Sequence, residues 1–200
     1  MNLRSVSKLC LLGVAVLMDI KIRVKDDSTI TDEELKDIEM LFNNEYTGED
    51  DIWEREAPYG FSPADMRVMA YENGTLVGHI GAEKRWVSVG EGKVKIAGIG
   101  GVLVDKDCRS FGIATQLMHQ LIDEMQKNEY AHFGYLGCRE EVVQFYSSCG
   151  FERIERTETV KKNFSSEDIT RSGFPILICS ITKNVDLFPA GNINLHGTAW

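Results

Sequence analysis

The chain has 200 residues, of which 43% are hydrophobic and 26% are charged, a balance that provides the core of one globular domain. Its formal net charge of -9 argues against binding nucleic acid or an anionic membrane through long-range electrostatics, and it would attract a cationic ligand. The 5 cysteines are widely spaced and include no CxxC pair, so the sequence predicts neither a metal site nor a disulfide framework.

The first 18 residues resemble the charged and apolar regions of a signal peptide, because Arg4 and Lys8 precede an apolar run from 9 to 18. That run is too short to span a bilayer as a helix, and no small-residue cleavage site follows it. Met18 stands directly before the alternating segment 20–24, which is typical of a half-buried strand. Residues 1–18 are therefore interpreted as a dispensable extension of a cytoplasmic protein, with Met18 as a candidate start.

The first half of the chain is predicted to hold one helix and several strands joined by hairpins. Thr31 is a natural helix N-cap, and Glu34 stands three residues on, where a capping box places it. Asn73-Gly74 is a strong two-residue hairpin turn. The predicted strands of this half lie at 20–24, 66–71, 76–87 and 94–104.

The second half alternates helices and strands. Helices are predicted at 112–127 and 140–149, and strands at 131–138, 152–160 and 176–181, before an irregular tail. This order indicates an α/β (α+β) fold with a mixed, mostly antiparallel central sheet, a parallel pair of strands at its middle and flanking helices.

A candidate phosphate site lies between the strand at 94–104 and the next helix. Gly98, Gly100 and Gly101 interrupt this strand, which marks a bulge, a ligand lying against the backbone, or close packing on a helix. The segment Arg109-Ser110-Phe111-Gly112-Ile113-Ala114 then enters the helix. A helix N-terminus has unpaired N–H groups and binds phosphate when its first side chains are small. The sequence therefore predicts a pyrophosphate site here.

This segment resembles the acyl-CoA-binding motif of the GCN5-related N-acetyltransferase (GNAT) superfamily, written Arg/Gln-x-x-Gly-x-Gly/Ala. Tyr146-Ser147-Ser148-Cys149-Gly150-Phe151 resembles the later Tyr-x-x-x-Gly-Phe motif of the same superfamily. Both motifs occur in the expected order, and the surrounding pattern covers roughly residues 20–181. The resemblance implies that the middle strands splay apart, with the thioester arm of an acyl-CoA such as acetyl-CoA in the gap.

The resemblance also implies roles for individual residues. The backbone of Val102, Leu103 and Val104 would pair with the pantetheine arm. The pyrophosphate would be held by the amides of Arg109, Ser110, Phe111, Gly112, Ile113, Ala114 and Thr115. Tyr146 would donate a proton to the departing thiolate, whereas its alternative role is that of a partly buried packing residue.

The group that deprotonates the amine is left open by the sequence. Many relatives carry a glutamate on the strand before the motif, where this chain has Gly98 and Gly100. Glu83, His79 and an acidic loop are the candidates, directly or through water. Alternatively, Glu83 is a solvated strand residue and His79 is a core histidine with its hydrogen bonds satisfied.

A closer resemblance concerns the acceptor. The segment 48–54, followed by 66–69 and 77–79, resembles the aminoglycoside 2'-N-acetyltransferases, which also have an acidic loop here and end in a tryptophan, as this chain ends at Trp200. Segments 78–91 and 188–191 resemble instead the rhizobial nodulation N-acyltransferases. The two groups are distant relatives of one another, and the sequence shares features with both.

The acceptor site is predicted to be anionic. Glu49, Asp50 and Asp51 could each pair with an ammonium group of a cationic acceptor, and the Trp200 carboxylate would add another anion if the tail folds back. The alternatives are a solvated acidic loop and a disordered tail.

The predicted domains are the extension 1–18, an acyltransferase domain at 19–183 and a tail at 184–200 that completes the acceptor site. The leading function is transfer of an acetyl group from acetyl-CoA to a primary amine of a small, cationic, aminoglycoside-like acceptor. The alternatives are a longer acyl donor and a non-catalytic sensor of acyl-CoA or amine, which the missing strand glutamate favours. The expected partner is a small-molecule amine, without nucleic acid or membrane, and a homodimer is left open.

Overall fold

A single mixed sheet forms the frame of the molecule. The structure, a computed structural model, describes residues 3–9, 15–46, 53–162 and 164–200. In chain order its elements are β1 Leu3–Leu9, β2 Ala15–Asp26, α1 Asp32–Glu45, β3 Met66–Glu72, β4 Thr75–Val89, β5 Gly92–Val104, α2 Ile113–Lys127, β6 Phe133–Gly137, α3 Val143–Ser148, β7 Glu152–Ile154, β8 Glu158–Lys161, β9 Asp168–Arg171, β10 Ile176–Ser180 and β11 Ile193–Asn194. The strand order is β1-β2-β3-β4-β5-β6-β10-β7.

The local signals of the first half produce the predicted elements. The Thr31 hydroxyl accepts a hydrogen bond from the Glu34 N–H, and the Glu34 carboxylate accepts one from the Thr31 N–H, so the capping box is complete. Such a cap contributes about 1 kcal/mol to helix stability. Asn73-Gly74 forms the β3–β4 turn with φ of 49° and 90°, the left-handed pair that a tight hairpin requires.

The predicted parallel pair lies between β5 and β6 and opens part of the way along. Ile96, Ala97 and Gly98 pair with Phe133, Gly134 and Tyr135. Beyond Gly98, β5 continues to Val104 beside β4, while β6 continues to Gly137 beside β10. The two strands therefore separate, and the far half of β5 has one edge free of strand partners in the described chain.

The main core lies between the sheet and α2. Leu117, Leu121 and Met125 of this helix are fully buried against β2–β5. Gly78 of β4 allows the close approach, because a Cβ there would lie 3.0 Å from the Leu117 side chain. Complete burial of each such side chain stabilises the fold by roughly 1.5–3 kcal/mol. Helix α1 packs on the opposite face, where Phe42 meets His79 of β4.

The end of the chain departs from the prediction of one strand at 152–160 and an irregular tail. The strand is two strands, because β7 pairs with β10 whereas β8 pairs with β9 and β11. The sequence did not predict β9. The tail is ordered by β11, which pairs with Ser88 and Val89 of β4, and by the burial of Leu195. β7 and β11 form by pairing between segments distant in the chain, which local patterns do not encode, whereas β8 and β9 pair with each other as a hairpin.

Two further observations concern the ends and the exterior of the described chain. β1 pairs antiparallel with β2, so residues 3–9 of the predicted extension form a strand, and its boundary at residue 18 stays a prediction. Among the described residues, no helix is long and apolar enough to cross a membrane, and no cluster of His, Cys, Asp or Glu side chains could hold a metal ion.

Candidate active site

The N-terminus of α2 has the geometry of an open anion cradle. Ser110 and Gly112 both have positive φ, at 68° and 73°, and Gly112 is the N-cap residue. No side chain caps this end, and a Cβ at Gly112 would meet nothing within 4 Å. The first N–H groups of an α-helix have no intrahelical partner. These N–H groups are therefore available to hydrogen-bond an anion, as a pyrophosphate site of the kind that the sequence predicts would require.

Arg109 braces the turn that leads into this cradle. Its Nε donates to the Val104 carbonyl at 3.0 Å, and its Nη2 pairs with the Glu45 carboxylate at the end of α1. Glu45 also accepts a hydrogen bond from the Lys106 N–H at 3.1 Å. The positive charge of Arg109 is thus shared with a carboxylate, although more than half of its side chain is exposed.

The far half of β5 carries a bulge beside the gap. Leu103 pairs with His79 and Val104 with Gly78, but the register shifts between these pairs and the pairing of Gly100 with Gly81. Gly101 has a φ of 57° at this shift, a conformation that favours glycine. The other edge of Val102–Val104 is the edge that the resemblance assigns to pantetheine.

One cleft of about 380 Å³ brings the main predicted side chains together. Tyr146 from α3, Glu83 from β4 and Trp200 from the tail all line it, as does Val102 of the β5 edge. Its floor is made of the glycines of β4 and β5, which leave the backbone accessible. The fold therefore places the predicted acid, one predicted base and part of the donor edge around one space.

Tyr146 is held at the α3 side of the cleft by aromatic packing. It is 8% exposed, with its ring 4.9 Å from that of Phe145 and 5.9 Å from that of Phe151, both edge-on. Burial raises the pKa of Tyr146 well above its usual range. The phenol is therefore protonated at neutral pH and can act as a hydrogen-bond or proton donor.

Glu83 is tied to Trp200 and Arg85. The Trp200 Nε1 donates to Glu83 Oε2 at 2.5 Å, and Arg85 Nη2 donates to the same oxygen at 2.6 Å. The Arg85 guanidinium also lies 4.4 Å from the centre of the Trp200 ring, within cation–π distance. The tail therefore folds back into the cleft, and the carboxylate of Glu83 holds it there.

The glycines of β5 make room for Trp200. A Cβ at Gly98 would lie 2.0 Å from the indole ring, and one at Gly100 would lie 2.9 Å from the Trp200 carbonyl carbon. No side chain larger than hydrogen fits at Gly98 while the indole is in place. This packing gives a physical reason for glycine at these two positions, where the sequence resemblance leads one to expect a glutamate.

His79 has both ring nitrogens engaged. The Gly101 carbonyl can only accept, so His79 Nδ1–H donates to it at 2.8 Å; Arg67 Nη1 can only donate, so His79 Nε2 accepts at 3.1 Å. Burial, followed by the charge of Arg67, lowers the pKa of His79 to about 3. His79 is therefore the satisfied core histidine of the two alternatives, and its lone pair is not free to take a proton.

Several cleft residues were missed from the sequence. Arg67 is 3% exposed, pairs with Asp27 at 2.6 Å, and its Nη2 has no hydrogen-bond partner among the described residues. An arginine within the otherwise apolar strand 66–71 was the available signal. Tyr59 and Phe61 also line the cleft, although their loop carries only turn signals in the sequence.

Glu49, Asp50 and Asp51 of the acidic loop lie outside the described residues. The residues that flank them on either side are described. The ring of Tyr46 lies 6.0 Å from that of Phe42, and the ring of Trp53 lies 6.5 Å from it. Phe42 and Tyr46 both line the cleft.

The family of the chain follows from its sequence. The model of the Acetyltransferase (GNAT) family matches residues 32–151, more than half of the chain, and the chain therefore belongs to this family. It is an acyl-CoA-dependent N-acyltransferase, which confirms the class of enzyme that the two motifs predict. No curated protein matches the chain by sequence.

Solved structures share the fold. A GNAT family N-acetyltransferase (YhbS) from Escherichia coli, in complex with CoA, is similar with a TM-score of 0.62 and 17% identity, over 90% of this chain and 91% of that one. Escherichia coli ElaA is similar with a TM-score of 0.58 and 18% identity, over 80% and 99%. An acyl-CoA N-acyltransferase from Pseudomonas aeruginosa has values of 0.56 and 17%, over 80% and 99%. The fold prediction is confirmed, whereas the two closer resemblances stay predictions.

Proposed function

We propose that this enzyme transfers an acetyl group from acetyl-CoA to the primary amine of a small, cationic acceptor. The observation that carries the proposal is that a buried, protonated Tyr146 and the free edge of β5 at Val102 line the same cleft. A thioester lying along that edge would have its sulfur on the side of the cleft that Tyr146 occupies.

The donor would be held by backbone groups. Pantetheine would pair with the free edge of Val102, Leu103 and Val104, as the β5–β6 gap allows. The pyrophosphate would sit on the cradle formed by the amides of Arg109, Ser110, Phe111, Gly112, Ile113, Ala114 and Thr115. Backbone N–H groups need no reorganisation when the anion arrives, which favours binding.

The chemistry then uses two side chains. The amine nitrogen attacks the thioester carbon, a C–N bond forms and the C–S bond breaks. Before the attack, the ammonium gives a proton to Glu83 through water, which leaves the nitrogen a lone pair. The departing sulfur takes a proton from the Tyr146 hydroxyl, and the tyrosine is restored by the second proton that the nitrogen loses. Both hydrogen bonds that Glu83 accepts from Trp200 and Arg85 fall on Oε2, so Oε1 is the oxygen that would take up the proton from the ammonium.

The acceptor would be recognised as a cation. Glu49, Asp50 and Asp51 supply carboxylates, and the residues that flank this segment both contact Phe42 of the cleft. Trp200 would form a wall of the acceptor site, because its indole covers Gly98 at the cleft floor. The sequence resemblance makes aminoglycosides the first cationic acceptors to test.

The decisive experiment measures release of free thiol from acetyl-CoA with a panel of primary amines, including aminoglycosides and aliphatic polyamines. Thiol release that depends on the amine, with the acetylated amine found by mass spectrometry, supports the proposal. A protein that binds CoA but releases no thiol with any amine would instead be a sensor. Faster turnover with hexanoyl-CoA than with acetyl-CoA would assign the enzyme a longer acyl donor.

A further inference from the structure

Five phenylalanine, tyrosine and tryptophan side chains besides Tyr146 line the described part of the cleft, and we refer to them together as the aromatic wall: Phe42, Tyr46, Tyr59, Phe61 and Trp200. Three of these rings form a layered cluster: Phe42 and Tyr59 are nearly parallel with centres 5.9 Å apart, and Tyr46 lies 4.8 Å from Tyr59. Rings arranged in this way present flat apolar faces and edges, which bind another flat ring through offset or edge-on packing.

Two side chains of this wall are far more exposed to solvent than the residues of the hydrophobic core. Tyr46 is 42% exposed and Phe61 is 46% exposed, although both are large side chains that gain from burial. Tyr59 has a φ of 54°, which is unfavourable for a bulky residue, and its hydroxyl donates to Asn43 Oδ1 at 3.0 Å. Backbone strain of this kind clusters at active sites and ligand clamps.

Three charged side chains line the described part of the cleft: Glu83, Arg67 and Arg139. The first two are paired with protein groups. Glu83 accepts from Arg85, and Arg67 is paired with Asp27. His79 is uncharged, with both nitrogens occupied. Among the described residues the wall therefore offers the body of an acceptor mainly apolar contacts, whereas a polyhydroxylated body would lose hydrogen bonds to water there.

We infer that the preferred acceptors are primary amines on a flat aromatic body, the arylalkylamine class, with the ring against the aromatic wall. The inference rests on the proposed function and gives its acceptor a chemical class. The protonated amine still makes the acceptor cationic. The ring would displace water from Tyr46 and Phe61, and stacking adds specificity for flat bodies over bulky saturated ones.

The first test compares matched amines on the same enzyme. We expect the KM for 2-phenylethylamine to be at least about tenfold lower than that for ethylamine, since one has the ring and the other does not. The KM for 2-cyclohexylethylamine should lie between them. Equal values for 2-phenylethylamine and ethylamine, or a lower KM for an aminoglycoside than for every arylalkylamine, would overturn the inference.

A second test places the ring on the wall. Phe61→Ala removes an exposed rim side chain and should raise the KM for 2-phenylethylamine about fivefold more than it raises the KM for ethylamine. Trp86→Ala is the matched control, because Trp86 is 56% exposed but packs against His132 and does not line the cleft. An effect of similar size in both variants would overturn the placement.

Binding without turnover separates this inference from the proposed function. If no amine releases thiol, the proposed function fails, and calorimetry on the protein saturated with CoA then tests the wall alone. Tighter binding of 2-phenylethylamine than of ethylamine would support the aromatic site. Equal affinity for the two amines would overturn it.

Discussion

The indole Nε1 of Trp200 donates a hydrogen bond to Oε2 of Glu83 at 2.5 Å, joining two residues 117 positions apart. The same indole lies directly over Gly98 of β5, where a Cβ would be 2.0 Å away. The tail, β4 and β5 are therefore fitted to one another at the cleft floor. The Trp200 ring thus fills the space that a side chain at position 98 of β5 would otherwise occupy.

Gly98→Ala should displace that ring. A methyl group cannot occupy the space 2.0 Å from the indole, and overpacking of this kind costs about 1–3 kcal/mol. Hydrogen exchange at the Leu195 amide, which donates to Thr159, should become faster, and the KM for the amine should rise, while CoA affinity stays the same. Gly92→Ala is the control in the same strand, because its Cβ would have its nearest contact at 3.5 Å. Unchanged exchange in Gly98→Ala would contradict the packing.

Gly112→Asp should abolish acyl-CoA binding. The Cβ would meet nothing within 4 Å, so the φ of 73° is the source of strain, and a carboxylate would stand in the anion cradle at the start of α2. Gly112→Asn is the control, because it has the same shape and the same positive-φ strain without the charge. Calorimetry with CoA should show that the aspartate variant loses at least about tenfold more affinity than the asparagine variant. Equal losses of affinity in the two variants would contradict the placement of the pyrophosphate at this turn.

Tyr146→Phe should lower kcat with little effect on acyl-CoA binding, since the phenol acts mainly in the transition state. The loss should be at least about tenfold, because proton donation is worth roughly 10²–10⁴-fold and water can substitute in part. Phenylalanine keeps the packing on Phe145 and Phe151, so the melting temperature should stay close to that of the parent. Tyr71→Phe, which lies outside the cleft, should have full kcat. A Tyr146→Phe enzyme with full kcat would make Tyr146 a packing residue.

His79 predicts a specific loss of stability in acid. Burial, followed by the charge of Arg67, lowers its pKa from 6.5 for the ordinary side chain to about 3 in the fold, and the charge of Asp27 opposes this shift. Between these values the unfolded chain binds a proton that the native chain does not, so stability falls as the pH drops below 6.5. The difference amounts to roughly 1.5 kcal/mol between pH 6.5 and 5. Urea unfolding at several pH values should show this slope in the parent and a shallower one in His79→Asn. Parallel curves would contradict the assignment.

Asp50→Asn combined with Asp51→Asn tests the acidic segment. If it recognises a cation, the double variant should raise the KM for a polyamine by at least about tenfold and change kcat and CoA affinity little. Asp186→Asn is a surface control, since Asp186 belongs to a short exposed helix away from the cleft. Identical kinetics in the parent and the double variant would make this segment a solvated surface loop.

The parts of the fold that the sequence predicts are those encoded by neighbouring residues. Thr31 and Glu34 specify the start of α1 within four positions, and Asn73-Gly74 specifies a hairpin by its own backbone preferences. The motif from Arg109 to Ala114 likewise marks the open N-terminus of α2, with Gly112 as its N-cap. Each of these signals is local, so no tertiary information was needed to read it.

The features that sequence reasoning missed depend on contacts between distant segments. In the sequence, Gly98 is only an interruption of a strand; in the structure, the Trp200 indole lies over it and explains the absence of a side chain. The pairing of Arg67 with His79 joins neighbouring strands, and the choice between a base and a core histidine depends on its geometry. In both cases the outcome depends on a side chain from another part of the chain, and the hydrophobic periodicity of the sequence does not show which side chain that is.

The bond between Glu83 and Trp200 also orders events during folding. Closing a loop of 117 residues costs more chain entropy than forming the β4–β5 hairpin or the turn at α2, so the indole docks after those elements. The α2 cradle is built from neighbouring residues and needs no tail. A partly folded molecule would therefore form its phosphate-binding turn first and the tryptophan side of its cleft later. Its site for acyl-CoA would then form before its site for the amine.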